Sequence, residues 1–239
     1  MRTYNANMTN KSKTYSYERP ALTVDCVVFG YDEGDLKILL IKRDIEPYKN
    51  IWALPGGFVR IHETLEDAAI RELKEEANVD KVYLEQLYSF GSLERDPRER
   101  VVTIAYYALI KLSEHQAKGG TDASDAKWFS VNKLPILAFD HKEIIKKALT
   151  RLQSKLRYEP IGFELLPEKF PFSAIEHLYE TVLQREIDRR NFRKKILSMG
   201  VIKQLKEMQE NVSHRRGYLY SFDHKEYERL KKKGFNFEI

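Results

Sequence analysis

Apolar runs of strand length, separated by turn residues, dominate the chain between residues 21 and 135. ALTVDCVVFG (21–30) reads as a strand, YDEGD (31–35) as a turn, and LKILLIKR (36–43), rich in Ile and Leu and closed by charge, as a second strand. After a loop containing Pro47, IWALPGGFVR (51–60) reads as a strand interrupted by a Gly pair. KVYLEQLYSFGS (81–92) and VVTIAYYALIKL (101–112) are two more strand candidates, joined by the charged loop 93–100. GGTDASD (119–125) reads as a loop, AKWFSV (126–131) as a short strand, and residues 134–135 as a turn. One helix interrupts this series. Thr64-x-x-Asp67 is a capping-box-like start, and Asn78 suits the left-handed position that ends a helix over 64–77.

The period changes beyond residue 135. In 140–156, Ile144, Ile145, Ala148, Leu149, Leu152 and Leu156 recur at helical spacing. Residues 158–172 carry Pro160, Pro167 and Pro171, cannot continue that helix, and read as an inter-domain connection. FSAIEHLYETVLQ (172–184) and RRNFRKKILSMG (189–200) predict two helices, the second capped by Gly200, with Phe192, Ile196, Leu197 and Met199 as its buried side. VIKQL (201–205), a polar turn and RRGYLYSF (215–222) predict a β-hairpin. Helix, helix, hairpin is the order of a winged helix-turn-helix. The expected organisation is a tail over 1–19, an α/β domain over 20–156 and a winged-helix domain over 157–239.

Composition narrows the class. With 239 residues, 42% hydrophobic and 12% aromatic, the chain can bury a core. No apolar run approaches the roughly 18–20 residues of a membrane helix, and 1–19 has no apolar signal-peptide core, so a cytoplasmic protein is expected. Cys26, the single cysteine, sits in an apolar run and reads as a buried small hydrophobe. Residues 160–239 hold 16 basic and 12 acidic residues, which is four of the chain's five net positive charges. A polyanion is best received there.

The chemistry concentrates in 57–79. At about 100° per residue, Glu72, Glu75 and Glu76 fall within one arc of the predicted helix, and Ala69, Ile70, Leu73 and Ala77 occupy the adjacent, buried arc. Three converging carboxylates repel one another unless a cation sits among them, and hard oxygens at this density suit Mg²⁺ or Mn²⁺ bridging to phosphate. Arg71, one turn before Glu75, is placed to pair with it.

The wider pattern, Gly57, Glu63, Arg71-Glu72-Leu73-x-Glu75-Glu76 and Asn78-Val79 at fixed spacing, resembles the Nudix box of hydrolases that act on nucleoside-diphosphate-linked compounds. It departs from the box only at Asn78, where the family has Gly. The resemblance covers about 20–150 and implies an α/β/α sandwich around a mixed sheet. It also implies Glu72, Glu75 and Glu76 as catalytic metal ligands, with Glu63 and Arg71 supporting them. Gly56, Gly57 and the strand-end Arg43 are substrate-contact candidates. SLERDPRERVVTIAYYAL (92–109), with Arg95, Arg98 and Arg100, resembles a ligand-pocket segment of ADP-ribose-type Nudix proteins and of Nudix-related transcriptional regulators.

Residues 159–202 resemble the winged helix of those regulators, which act in NAD metabolism and arabinose utilisation. The resemblance implies duplex DNA as partner, with Arg189, Arg190, Asn191, Arg193, Lys194 and Lys195 on the second helix and Arg215 and Arg216 at the wing. It also implies an ADP-ribose-like or sugar-derived ligand and a homodimer reading paired half-sites. The expectation is a ligand-responsive regulator that also hydrolyses its ligand. The alternative is a dedicated hydrolase whose C-terminal domain serves dimerisation or another accessory role.

Overall fold

A computed structural model of the chain describes residues 17–32, 34–79, 82–112, 123–210 and 216–239. Seven strands form one mixed sheet: β1 (Ala21–Asp32), β2 (Asp35–Arg43), β3 (Trp52–Ala53), β4 (Gly56–Phe58), β5 (Tyr83–Phe90), β6 (Val101–Lys111) and β7 (Ala123–Ser130). Their order is β3-β2-β1-β6-β5, with β4 paired to β1 and β7 to β2. Only β1 and β6 run parallel; the other pairs are antiparallel. The hairpin β1–β2 closes more tightly than the predicted turn, because Gly34 adopts φ +80°. The loop expected over 119–125 ends earlier than predicted, since Ala123–Asp125 already pair with β2. Its residues 119–122 lie outside the described ones.

Helix α1 (Leu65–Ala77) starts and stops where the sequence predicts. Thr64 and Asp67 close a reciprocal capping box, and Asn78 takes the left-handed conformation, φ 53° and ψ 38°. The two-residue period of the strands then divides the core. Val24, Cys26, Val28, Leu39 and Ile41 pack with Ala68, Ala69, Leu73 and Ala77 of α1, whereas the expected fourth member of that stripe, Ile70, is 47% exposed. Val27, Phe29, Ile38 and Leu40 pack on the opposite face with Ile144, Ile145, Ala148 and Leu152 of α2 (His141–Lys155). Two helical layers thus enclose a mixed sheet, as the family resemblance implied.

The C-terminal part is built from α3 (Phe172–Leu183), α4 (Arg189–Ser198) and a three-stranded sheet of β8 (Phe170–Pro171), β9 (Ile202–Met208) and β10 (Tyr218–Phe222). Gly200, at φ +70°, follows the end of α4. A last helix, α5 (His224–Lys231), was not anticipated. Segment 158–172 is more than a connection. Its prolines stop an α-helix but permit a 3-10 turn over Ile161–Leu165, and Ile161, Phe163, Leu165, Leu166 and Phe170 are buried. These residues join the α2 face of the sheet to Ile175, Leu178, Val182, Phe192 and Ile196 in one apolar cluster. Polar ties cross the same junction: Thr181 Oγ1 donates to the Gly34 carbonyl at 3.1 Å, and Gln153 Nε2 to the Val182 carbonyl at 3.0 Å. No helix among the described residues is long and apolar enough to cross a membrane.

A core shared in this way makes unfolding cooperative across the junction. Phe163 stacks on Phe222 at 4.4 Å between centroids, and Phe163→Ala is expected to cost about 3–5 kcal/mol. Calorimetry should show one transition, displaced as a whole to lower temperature. Two separate transitions, with only one displaced, would contradict a shared core.

Candidate functional site

The candidate site is a pocket bordered by β4, the edge of α1 and the start of α2. It is lined by residues from β1, β2, β4, α1, the loop before β6 and the segment entering α2. Its volume is ≈ 190 Å³, below the roughly 300–1,000 Å³ of sites that enclose a whole small ligand. A larger ligand must therefore extend over the rim.

One wall is acidic. Glu72 and Glu76 are both buried and both line the pocket. Glu76 Oε2 accepts from the Gly56 amide at 2.8 Å. The Gly pair exists for close approach, since a Cβ at Gly57 would collide with the Glu72 carboxylate and one at Gly56 with the Val24 carbonyl. Arg71 lies behind this wall. Its guanidinium holds Glu63 through two hydrogen bonds, at 2.9 and 2.7 Å, and reaches Glu72 at 2.5 Å and Glu75 at 3.1 Å. The hydrogen bond from Arg71, together with the Arg60 amide, pulls the Glu63 carboxyl down to about 2. Burial pushes the Glu72 carboxyl up against the pull of Arg71.

The expected pairing of Arg71 with Glu75 is present, but the convergence of three carboxylates is not drawn as the helical wheel suggests. Glu75 turns outward to Arg71 and Arg60, its side chain 41% exposed, and does not line the pocket. Among the described residues no three His, Cys, Asp or Glu side chains stand together as an ion-holding group. Arg71 supplies the positive charge that lets Glu63, Glu72 and Glu75 sit side by side.

The opposite rim is basic and aromatic. Arg43 lies 5.0 Å from the centroid of the Phe139 ring, and Arg98 lies 5.4 Å from Phe58 and 5.9 Å from Phe139. Arg43 is held by the carbonyls of Pro47 and Ile45; burial and the neighbouring charge of Arg98 lower its pKa. Arg98 is clamped by Asp96 at 3.0 and 2.8 Å. Phe139 has φ 50°, a conformation that costs a bulky side chain about 1–3 kcal/mol and persists only where its surroundings impose it.

The other two candidate arginines of this loop take different positions. Arg95 reaches the pocket but is buried, with Asp140 accepting two hydrogen bonds at 3.0 and 2.8 Å and Asp25 one at 3.1 Å. Burial alone would lower its pKa; Asp140 and Asp25 raise it instead. Arg100 points away and donates to the Ser92 carbonyl. Sequence reasoning missed Asp25, Phe58, Asp96, Phe139, Asp140 and His141. Asp25 had a signal, the lone charge inside an apolar strand; Phe139 and His141 had none.

His141 Nδ1 accepts the Leu54 amide at 2.9 Å, and Nε2 faces Asp25 Oδ1 at 3.5 Å. The neutral tautomer therefore carries its proton on Nε2. Burial lowers its pKa more than Asp25 and Asp140 raise it. The unfolded imidazole protonates near 6.5 whereas the buried one does not, so stability falls as pH drops through that value toward the folded pKa. Chemical denaturation at stepped pH should show this slope, flattened in His141→Gln. An equal slope in both proteins would count against a buried neutral ring.

At the other end of the molecule α4 presents the basic residues. Arg189 is paired with Glu180 at 2.9 Å, and the Asn191 side chain donates to the helix cap Asp188 at 2.7 Å. Arg193 lies over Phe172 and donates to the Tyr220 hydroxyl. Arg190, Lys194 and Lys195 are exposed and make no hydrogen bond or ion pair among the described residues. Leu197, expected on the buried side, is 43% exposed, because it falls about 140° from Phe192 around the helix. Arg216 is exposed beside β10, and Arg215 lies outside the described residues.

The NUDIX domain matches residues 19–152, more than half of the chain. The chain is a Nudix protein. Its C-terminal residues 162–222 match the NrtR DNA-binding winged helix domain. The ADPR responsive transcriptional repressor NtrR of Acinetobacter baylyi is 35% identical over 217 residues, covering 89% of this chain and 86% of that protein. The crystal structure of Shewanella oneidensis NrtR complexed with a 27mer DNA is similar over 90% of this chain and 97% of that one, with a TM-score of 0.77 and 31% identity. The ADP-ribose pyrophosphatase of Methanocaldococcus jannaschii is 44% identical over 130 residues, 54% of this chain and 73% of that protein. The chain therefore belongs to the group of Nudix proteins that carry an NrtR-type winged helix. Nudix hydrolases work with divalent metal ions, and Glu72 and Glu76 on the pocket wall offer the hard carboxylate oxygens that such ions take.

Proposed function

We propose that this Nudix protein is an ADP-ribose-responsive transcriptional repressor whose pocket also hydrolyses the ligand. The observation that carries the reading is the polarity of one pocket, with Glu72 and Glu76 on one side and Arg43, Arg98 and the Phe139 ring on the other. That arrangement suits a diphosphate joined to a planar base. The names and coverage of the relatives support the same ligand and the same use.

Glu72, Glu75 and Glu76 would hold Mg²⁺ or Mn²⁺. Such an ion would supply charge neutralisation for the diphosphate and a lowered pKa for the attacking water. Glu63 and Arg71 keep the carboxylates in place. Arg43 and Arg98 grip phosphate oxygens as fixed, always-charged forks. Arg95 holds the wall through Asp25 and Asp140, and the Gly56 amide orients Glu76. The water oxygen bonds to one phosphorus, the bridging P–O bond breaks, and AMP and ribose 5-phosphate leave with release of a proton.

DNA contact is assigned to Arg190, Lys194 and Lys195 of α4 and to Arg216 beside the wing, in a homodimer that spans two half-sites. The domain units 20–156 and 157–239 then serve as sensor and reader.

Release of AMP from ADP-ribose should require a divalent ion, and Glu76→Gln should lower kcat/KM by about a hundredfold or more. If no diphosphate nucleotide is turned over while calorimetry still shows ADP-ribose binding, hydrolysis is wrong and sensing stands. Absence of ADP-ribose binding would sink both.

A further inference from the structure

We propose that Arg193 is a positioning residue of the DNA-binding surface, fixing the wing against α4 without meeting DNA itself. The inference rests on the DNA-binding reading above and concerns how that surface is held together. The Arg193 guanidinium carbon lies 4.3 Å from the centroid of the Phe172 ring and 5.8 Å from that of Tyr220. One of its terminal nitrogens donates to the Tyr220 hydroxyl at 3.0 Å, and that hydroxyl donates to Gln204 Oε1 at 3.2 Å. A single line of contacts therefore crosses four elements: Phe172 on α3, Arg193 on α4, Tyr220 on β10 and Gln204 on β9. Phe172 and Tyr220 are both buried and meet edge to face at 5.5 Å, so the guanidinium of Arg193, itself exposed, lies across an aromatic corner.

The position of Arg193 on its helix agrees. At about 100° per residue, Arg189 and Arg193 flank the buried stripe of Phe192 and Ile196, whereas Arg190 and Lys194 lie opposite it. Arg189 is also held by α3, through Glu180. Both rows are exposed, but only the flank row is tied to neighbouring elements, Arg189 to α3 and Arg193 to α3 and β10. An Arg193 side chain that swung away from this corner to reach a phosphate would abandon both its ring contact and its hydrogen bond. Lysine cannot replace it, since the contact needs a planar cation that stacks and donates in a fixed direction.

The test is DNA affinity as a function of salt, measured by fluorescence anisotropy on a duplex from the protein's own promoter region. Arg190→Ala and Lys194→Ala, as phosphate contacts, should each lower the slope of log K against log salt by about 1. Arg193→Ala should weaken binding by about tenfold or more with the slope unchanged. Arg193→Lys should fail equally, and ADP-ribose binding should be unaffected in both. Tyr220→Phe, which removes only the acceptor hydroxyl, should weaken binding to a smaller degree, again at constant slope; it decides the matter if the Arg193 variants fold poorly. Hydroxyl-radical footprints of Arg193→Ala should lose protection on the wing side of each half-site and keep it along α4. A slope reduced by about 1 in Arg193→Ala, with recovery in Arg193→Lys, would make Arg193 a phosphate contact and overturn the proposal. So would affinity equal to that of the unaltered protein. If the unaltered protein binds no DNA at low salt, the DNA-binding reading itself fails.

Discussion

A buried guanidinium has to be matched by charge, and Arg95 is matched by two carboxylates from distant parts of the chain. Asp25 comes from the central strand β1, Asp140 from the residue that opens α2, and Arg95 from the loop before β6. Remove either acid and the guanidinium keeps one carboxylate but loses its tie to the other element. The triad therefore joins sheet, loop and helix into one wall. Asp140 occupies the N-cap position of α2 yet makes no capping hydrogen bond, because its carboxylate is turned to Arg95. Phe139, immediately before it, is held in a costly backbone conformation with its ring toward Arg43 and Arg98. What a ligand does at the rim thus bears directly on the first residues of α2.

From there the physical continuity is plain. α2 packs its apolar side on the sheet and on the same cluster that holds α3, and Gln153 is bonded to the end of α3. α3 supports α4 through Phe172, Tyr179 and Phe192. The pocket and the basic helix α4 are the two ends of one packed unit. Close-packed elements respond by shifting as bodies, so a small displacement at Phe139–His141 has a route to α4.

Much of this was legible in the sequence, where local chemistry decides local structure. Thr64, Asp67 and Asn78 announced both ends of α1, and the apolar run 21–30 announced β1. The Nudix spacing located the acidic wall. What the sequence left hidden depended on long-range packing. Arg95 and Arg98 are equivalent in a charged loop, and only the distant Asp25, Asp140 and Phe139 make one a scaffold and the other a rim residue. Arg193 reads as one of six polar residues on a basic helix, and only Phe172 and Tyr220, 21 residues before and 27 after it, set it apart by holding its guanidinium. Proline spacing correctly excluded an α-helix at 158–172, but not burial in a 3-10 turn. The polar pattern of 223–239 gave no sign of α5, whose residues are nowhere fully buried.

The measurement that reaches the centre of this account is a titration of ADP-ribose into the preformed protein–DNA complex, read by anisotropy of labelled duplex. The account predicts that DNA affinity falls by about 5–150-fold in step with occupancy of the pocket, and that Phe139→Ala weakens the response. Unchanged DNA affinity in protein saturated with ADP-ribose would contradict it.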